Sequence, residues 1–326
     1  MSGQPAERDS APDRPIRRVG LVVHAGRPAA VEAAREITKW LDDRGVATRA
    51  VRGEDVAAAE TRDEGPFPHD LDLVISVGGD GTLLRAAEFA HRADAPLLGV
   101  KVGRLGFLTE VEPENAPAVL DLALRGLTRI EERMAIVASA VANDGGGTGT
   151  GERSTTATPD WMPEPQWALN EVIVEKRARH RLVTLASWVD GERVTTFSAD
   201  GVIVATPTGS TAYSFSARGP IVFPRLECIV LTPVSPHMVF DRAIVLAPEQ
   251  EVVLEVLGEE PAILSADGRP GVEVPVGVRV RIGRADRPAR LVRMDGDTPF
   301  FSLLREKFSL PEAIGEATRR DVGPGR

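Results

Sequence analysis

Leu71-Asp72-Leu73-Val74-Ile75-Ser76-Val77-Gly78-Gly79-Asp80-Gly81-Thr82-Leu83-Leu84-Arg85-Ala86-Ala87-Glu88-Phe89-Ala90 is the stretch from which the rest of the chain can be read. Its front half is apolar and β-branched and ends in glycines, the pattern of a buried strand. Its back half is rich in Leu and Ala, with no breaker before Pro96, and reads as a helix. A glycine turn between such elements points backbone N–H groups outward at a helix N-terminus, which suits a phosphate. Glycines let the phosphate approach without a Cβ in the way. Asp80 is a poor phosphate ligand by itself, so it either handles a hydroxyl proton or metal beside the phosphates, or simply caps the helix with Thr82. The turn is not G-x-G-x-x-G, because no third glycine falls in place. No Lys-Ser or Lys-Thr follows, so it is not a Walker A loop either.

Upstream, Ile16–His24 reads as a first strand, Pro28–Arg44 as a helix and Val46–Val51 as a second strand. Val31, Ala34, Ile37 and Leu41 form the helix's apolar face, and Gly45 its stop. The charged segment from Arg52 to His69 reads as a surface loop. Downstream, Leu97–Val102 is a fourth strand, and a helix runs from about Glu114 to Arg125. Strand–helix alternation predicts a parallel, Rossmann-like sheet with right-handed crossovers. Ligands of such sheets sit at the carboxyl ends of the strands, where Gly78–Thr82 and Gly103-Arg104-Leu105-Gly106-Phe107 both lie. The latter, taken alone, is a packed turn.

From Ile130 onward the segments MAIVASAV, ALNEVIVEK, RLVTLASWV, GVIVAT, CIVLT, EVVLEVL and RVRIG are short and strand-like. Asp190-Gly191 and Asp267-Gly268 are hairpin dipeptides. The expected architecture is therefore an α/β domain over 16–128 and an all-β domain over 129–294. Residues 143–165 are a mobile, Gly/Ser/Thr/Pro-rich insertion. Phe300–Arg305 is a short amphipathic helix in a segment, about 295–310, that packs back on the first domain. Residues 1–15 lack a signal-peptide core and read as a disordered tail.

With 326 residues the chain can build two cores. A net charge of −9 disfavours nucleic acid, and no apolar run approaches a membrane span. Cys228 is the only cysteine, which excludes an intrachain disulfide. A cytoplasmic protein is expected.

Two further stretches bear on chemistry. Asn170-Glu171 interrupts an apolar strand, and on a half-buried strand the two would be ordinary outward residues. Asp200-Gly-Val-Ile-Val-Ala-Thr-Pro-Thr-Gly-Ser-Thr-Ala-Tyr-Ser214 runs from a strand into small hydroxylic residues ending near the sole tyrosine, Tyr213. It reads either as a Ser/Thr-rich turn or as a wall of hydroxyls and backbone groups around a flat polar ring such as adenine.

Gly-Gly-Asp-Gly-Thr, GRLGFLTEV, ALNEV and DGVIVATPTGSTAYSFSA, in that order, resemble the NAD kinase family from about Ile16 to Phe308. The resemblance implies transfer of a phosphoryl group to the adenosine ribose 2′-hydroxyl of NAD, giving NADP, with Mg²⁺. ATP and polyphosphate both occur as donors in the family. Asp80 matches the general base, with Gly79, Gly81 and Thr82 facing phosphates and Arg85 near the pyrophosphate. Asn170 and Glu171 match the pair that binds the adenosine ribose and adenine. Thr211, Ala212, Tyr213 and Ser216 surround the nicotinamide and adenine ends, and Asp200 matches an aspartate near the nicotinamide. Arg181, Phe107 and Arg269 complete the implied nucleotide-binding set. A homodimer or homotetramer is implied. Lys101, Arg218 and Arg269 depart from the family's usual Asn, Gly and Gln, which bears on substrate preference and leaves the base untouched. Two other readings fit parts of the pattern: a lipid kinase sharing the glycine turn, and a non-catalytic dinucleotide sensor.

Overall fold

The computed structural model describes residues 15–50, 70–103, 106–109, 111–141, 165–294 and 298–310. The expected Arg52–His69 loop, Arg104 and nearly all of the 1–15 tail and the 143–165 insertion lie outside them. The chain divides into two units, one reaching Glu131 and resuming at Leu291, the other spanning Glu132–Arg290. The sequence reading puts these boundaries at 128/129 and about 295, a few residues away.

The first unit opens with β1 (Arg18–Val23), α1 (Pro28–Asp42), β2 (Ala47–Ala50), β3 (Leu73–Gly78), α2 (Asp80–Ala93), β4 (Leu97–Lys101), α3 (Ala116–Leu124) and β5 (Arg129–Arg133). Every residue of β3 is buried, which is why it reads as one unbroken apolar run. Proline stands at the first turn of α1, and Ala30, Ala33, Ala34, Ile37 and Leu41 form its buried stripe. Val31 is only partly covered there. Gly79 precedes α2 in extended conformation, and Asp94 ends the helix in the left-handed region at φ 49°.

The second unit contributes β6 (Ile136–Val141), β7 (Gln166–Ala168), β8 (Glu171–Lys176), β9 (Val183–Val189), β10 (Glu192–Ala199), β11 (Gly201–Ala205), β12 (Ile229–Val234), β13 (Ile244–Leu246), β14 (Val252–Leu257), β15 (Ala262–Ala266), β16 (Val272–Val274) and β17 (Arg279–Arg284). One short helix, α4 (Tyr213–Ser216), follows a 3₁₀ turn at Thr208–Thr211. The strands form two antiparallel sheets, ordered β10-β9-β14-β17-β6-β7 and β13-β12-β11-β8-β15-β16. Phe197, Leu185, Leu254, Val174 and Leu264 belong to the main core of this unit, and Ile173, Ile203, Ala205, Val222, Cys228 and Val230 form a second cluster. Both Asp-Gly dipeptides take positive φ at both residues, as tight hairpins require.

One sequence expectation changes. ALNEVIVEK is not a single strand: it breaks at Leu169-Asn170, so that β7 lies in one sheet and β8 in the other. Asn170 and Glu171 are 7% and 9% exposed, where outward residues of a half-buried strand would face solvent.

β18 (Ala289–Arg293) then inserts between β4 and β5, completing the order β2-β1-β3-β4-β18-β5. β1 pairs parallel with β2 and β3, and β4 parallel with β3 and β18. Arg293 is buried and answered by Glu131 at 2.7 Å and by the Leu108 carbonyl at 3.3 Å. α5 (Phe300–Phe308) closes the described chain against this unit. No described helix is long and apolar enough to cross a membrane.

Candidate active site

Asp80 is the first residue of α2, and Gly79, not Asp80, occupies the N-cap position. Both carboxylate oxygens of Asp80 accept backbone bonds, from the Phe107 N–H at 2.8 Å and the Leu108 N–H at 3.2 Å. The glycine turn and the Gly103–Phe107 turn are thus keyed together. A Cβ on Gly106 would stand 2.6 Å from the Asp80 Cγ, so only glycine fits beside the carboxylate. At the far end of that turn Arg27 donates to the Val102 carbonyl at 2.6 Å.

Gly78 is glycine for packing reasons, since a Cβ there would meet Thr82 Cβ at 2.9 Å and His24 Cβ at 3.1 Å. Gly79 and Gly81 differ. A Cβ on either meets nothing within 4 Å, so the space in front of them is open. Thr82 is buried against Gly78, whereas Arg85 lies on the exposed side of α2.

In the second unit, a corner is built where the chain leaves β7. The Asp267 carboxylate accepts the N–H groups of Leu169 (2.7 Å), Asn170 (2.8 Å) and Glu171 (3.1 Å). Thr206 holds the same corner from the other side, its hydroxyl donating to the Leu169 carbonyl at 2.5 Å and its N–H to the Asn170 carbonyl at 2.8 Å. Gly209 packs on the Asn170 backbone, where a Cβ would stand 2.8 Å from Asn170 Cα. Much of the hydroxylic stretch is therefore spent internally. Ser210 donates to Pro207, Thr211 to Thr208, and Ser214 pairs with Thr232.

What these contacts frame is a cavity of about 300 Å³, lined by Glu171, Glu175, Tyr213, Ser265, Asp267 and Arg269 among others. Glu171, Ile173 and Glu175 share one face of β8, and β15 sets Ile263 and Ser265 opposite Glu175 and Ile173. Glu175, Ser265 and the carboxylate role of Asp267 were missed by sequence reasoning. For Glu175 the period-2 spacing from Glu171 was the available signal. Arg269 donates to the Ala266 carbonyl at 3.0 Å and to the Trp167 carbonyl.

Burial first, and then the neighbouring Asp267 carboxylate, push the Glu171 carboxyl up to about 8, against the pull of the Tyr213 backbone N–H. Burial also raises Asp267, but three amide donors and Arg269 favour its charged form. A proton retained by this pair therefore belongs on Glu171. Glu171 Oε2 and Asn170 Oδ1 are buried without a hydrogen-bond partner. Such atoms are costly unless a ligand supplies the missing bond. Burial, and then Glu175, Asp200 and Glu171, raise the Tyr213 phenol.

Of the remaining predicted residues, Asp200 stands close enough to the cavity for its charge to act on Glu175 and Tyr213, and the others are dispersed. Asp200 pairs with Lys176. Ser216 is exposed on α4. Arg181 lies in a different recess of about 400 Å³, 3.6 Å from Glu260. Lys101 pairs with Glu112 at 2.6 Å, and Arg218 takes φ 67°. Among the described residues no three His, Cys, Asp or Glu side chains converge to hold a metal ion.

Residues 19–128 match the family model for the ATP-NAD kinase N-terminal domain and 169–294 that for the C-terminal domain. The chain is 40% identical to an NAD kinase of Thermobifida fusca over 94% of each chain. It is 38% identical to NAD kinase 2 of Streptomyces coelicolor, over 91% of this chain and 95% of that one. Among solved structures, the Archaeoglobus fulgidus NAD kinase in complex with ATP is 27% identical, with a TM-score of 0.65 over 90% of this chain and 97% of its own. The fold also matches yeast NADH kinase complexed with NADH, at 22% identity and TM-score 0.75, over 92% and 90%.

Proposed function

The chain belongs to the NAD kinase family, and from that premise we propose how its residues divide the phosphorylation of NAD. Asp80 orients the adenosine ribose 2′-hydroxyl and accepts its proton, each oxygen keeping a lone pair beyond its amide bond. Gly79 and Gly81 leave backbone N–H groups open to phosphate oxygens, with Arg85 serving the pyrophosphate and Thr82 shaping the turn from inside. Asn170 and a protonated Glu171 take the ribose hydroxyls and adenine. A neutral carboxyl both donates and accepts, which matches a nucleoside's mixed edge. Thr211, Ala212 and Tyr213 form the adjoining wall through backbone and ring, with Ser216, Asp200, Phe107, Arg181 and Arg269 as further nucleotide contacts.

The donor is ATP, with polyphosphate as the other candidate of the family. Mg²⁺ fits as a companion of the donor phosphates, since such ions commonly bind through one or two carboxylates plus substrate phosphates. Asp80 is the carboxylate at the open turn. When bound, the ion neutralises charge on the phosphoryl oxygens. A cytoplasmic homodimer or homotetramer completes the reading.

The observation that carries it is Asp80 fixed by two amides at the head of α2, beside two glycines in front of which no described atom stands within 4 Å of where a Cβ would be. The test is an activity matrix of ATP or polyphosphate against NAD or NADH. NADP formation from ATP and NAD is expected. No phosphorylated dinucleotide from any combination would overturn the proposal, and NADH preferred over NAD would correct the acceptor.

A further inference from the structure

We propose that Lys307 is a positioning residue for Asp80, delivered to it by α5. Lys307 Nζ stands 4.0 Å from Asp80 Oδ2. The same ammonium lies 5.2 Å from the centroid of the Phe107 ring. Phe107 in turn packs between two α5 aromatics, Phe300 at 6.2 Å and Phe308 at 6.3 Å. Its backbone N–H is the donor to Asp80 Oδ2. α5 thus addresses the carboxylate twice, directly through an ammonium and indirectly through the ring whose amide holds it.

This contact is not incidental to helix docking. Leu303 is the only buried side chain of α5, and a nine-residue helix does not persist in water on its own. The Phe107 contacts therefore help to seat the helix, and with it Lys307. At 4.0 Å the ammonium acts through charge and leaves the oxygen's remaining lone pair available. That suits the reaction proposed above, on which this inference rests. A donor phosphate chain brings several negative charges toward an ionised carboxylate, and a fixed cation beside that carboxylate offsets the repulsion where charge moves.

The test compares the full chain with Lys307→Met, Lys307→Gln and Lys307→Arg, reading kcat, KM for each substrate and Tm. Met and Gln are expected to lower kcat about tenfold or more, with KM for NAD changed by less than about twofold. Their Tm should stay within about 3 °C of the parent. Arg, or a small alkylamine added to Lys307→Met, should restore a good part of kcat. Parental kcat in the Met and Gln variants overturns the inference, as does a kcat loss that neither Arg nor amine restores. A fall in Tm of more than about 5 °C in both variants also overturns it, since Lys307 would then be structural. A parent chain that phosphorylates no dinucleotide removes the kinase reading itself, a distinct result.

Discussion

Asp267 holds the peptide of Glu171 from both sides: its carboxylate accepts the Glu171 N–H at 3.1 Å, and its own N–H donates to the Glu171 carbonyl at 3.0 Å. With Leu169 and Asn170 also bonded to it, one side chain fixes the corner at which the chain changes sheets. The buried Glu171 carboxyl points where it does because of that corner.

Removing the clamp should therefore cost both stability and nucleotide affinity. Asp267→Ala strands three N–H groups and is expected to destabilise by about 3 kcal/mol or more. Urea unfolding measures the loss, and titration with NAD should show weakened binding in the fraction that remains folded. Unchanged stability would show that the corner is held by Thr206 alone.

Glu171 should imprint a pH dependence on folding. Its ordinary value is 4.5, whereas in the folded chain it holds a proton to about 8. Between those values the folded state binds more protons than the unfolded one, so stability is greatest below the lower value and declines as pH rises through the higher. Glu171→Gln should remove a decline of the order of a few kcal/mol, seen by comparing unfolding at about pH 5.5 and about pH 8.5. Parallel curves for variant and parent would place the proton elsewhere.

Asp80→Asn keeps the size of the side chain and removes its basicity. NAD binding should be retained while kcat falls about 100-fold or more, measured by calorimetry and steady-state assay. Gly106→Ala should reach the same end by geometry, because its Cβ would displace the carboxylate. A kcat loss of about tenfold with a stability loss of about 1–3 kcal/mol is expected. Near-normal turnover in Asp80→Asn would take Asp80 out of the mechanism.

Arg218 sits at φ 67°, in the left-handed region that glycine adopts without strain. A side chain in that region costs about 1–2 kcal/mol, partly offset by the greater freedom glycine has when unfolded. Arg218→Gly should stabilise by up to about 1 kcal/mol, raising Tm by about 2–4 °C in thermal melts. If Tm falls instead, the arginine makes contacts worth more than its strain.

Local features were legible before any coordinates. β3, the glycine turn and α2 follow from apolar runs, glycine and helix formers lying side by side in the chain. The Asp190-Gly191 and Asp267-Gly268 hairpins follow from residues that tolerate positive φ. Each of these is settled within a few residues, because backbone sterics and side-chain period act at that range.

What tertiary structure alone decided is which distant groups meet. β18 is a short strand of mixed composition, Ala289-Arg290-Leu291-Val292-Arg293, and nothing in it says that it pairs with β4 rather than with the antiparallel sheets. Asp267 is a turn residue by sequence and a clamp only because β15 lies beside β8. Lys307 lies beyond the helix expected at Phe300–Arg305; the structure extends that helix to Phe308 and brings Lys307 beside Phe107 and Asp80. A hydrogen bond or ion pair between residues far apart in the chain leaves no periodic trace, so Asp80 and Glu171 could be singled out in the sequence while the groups that aim them could not.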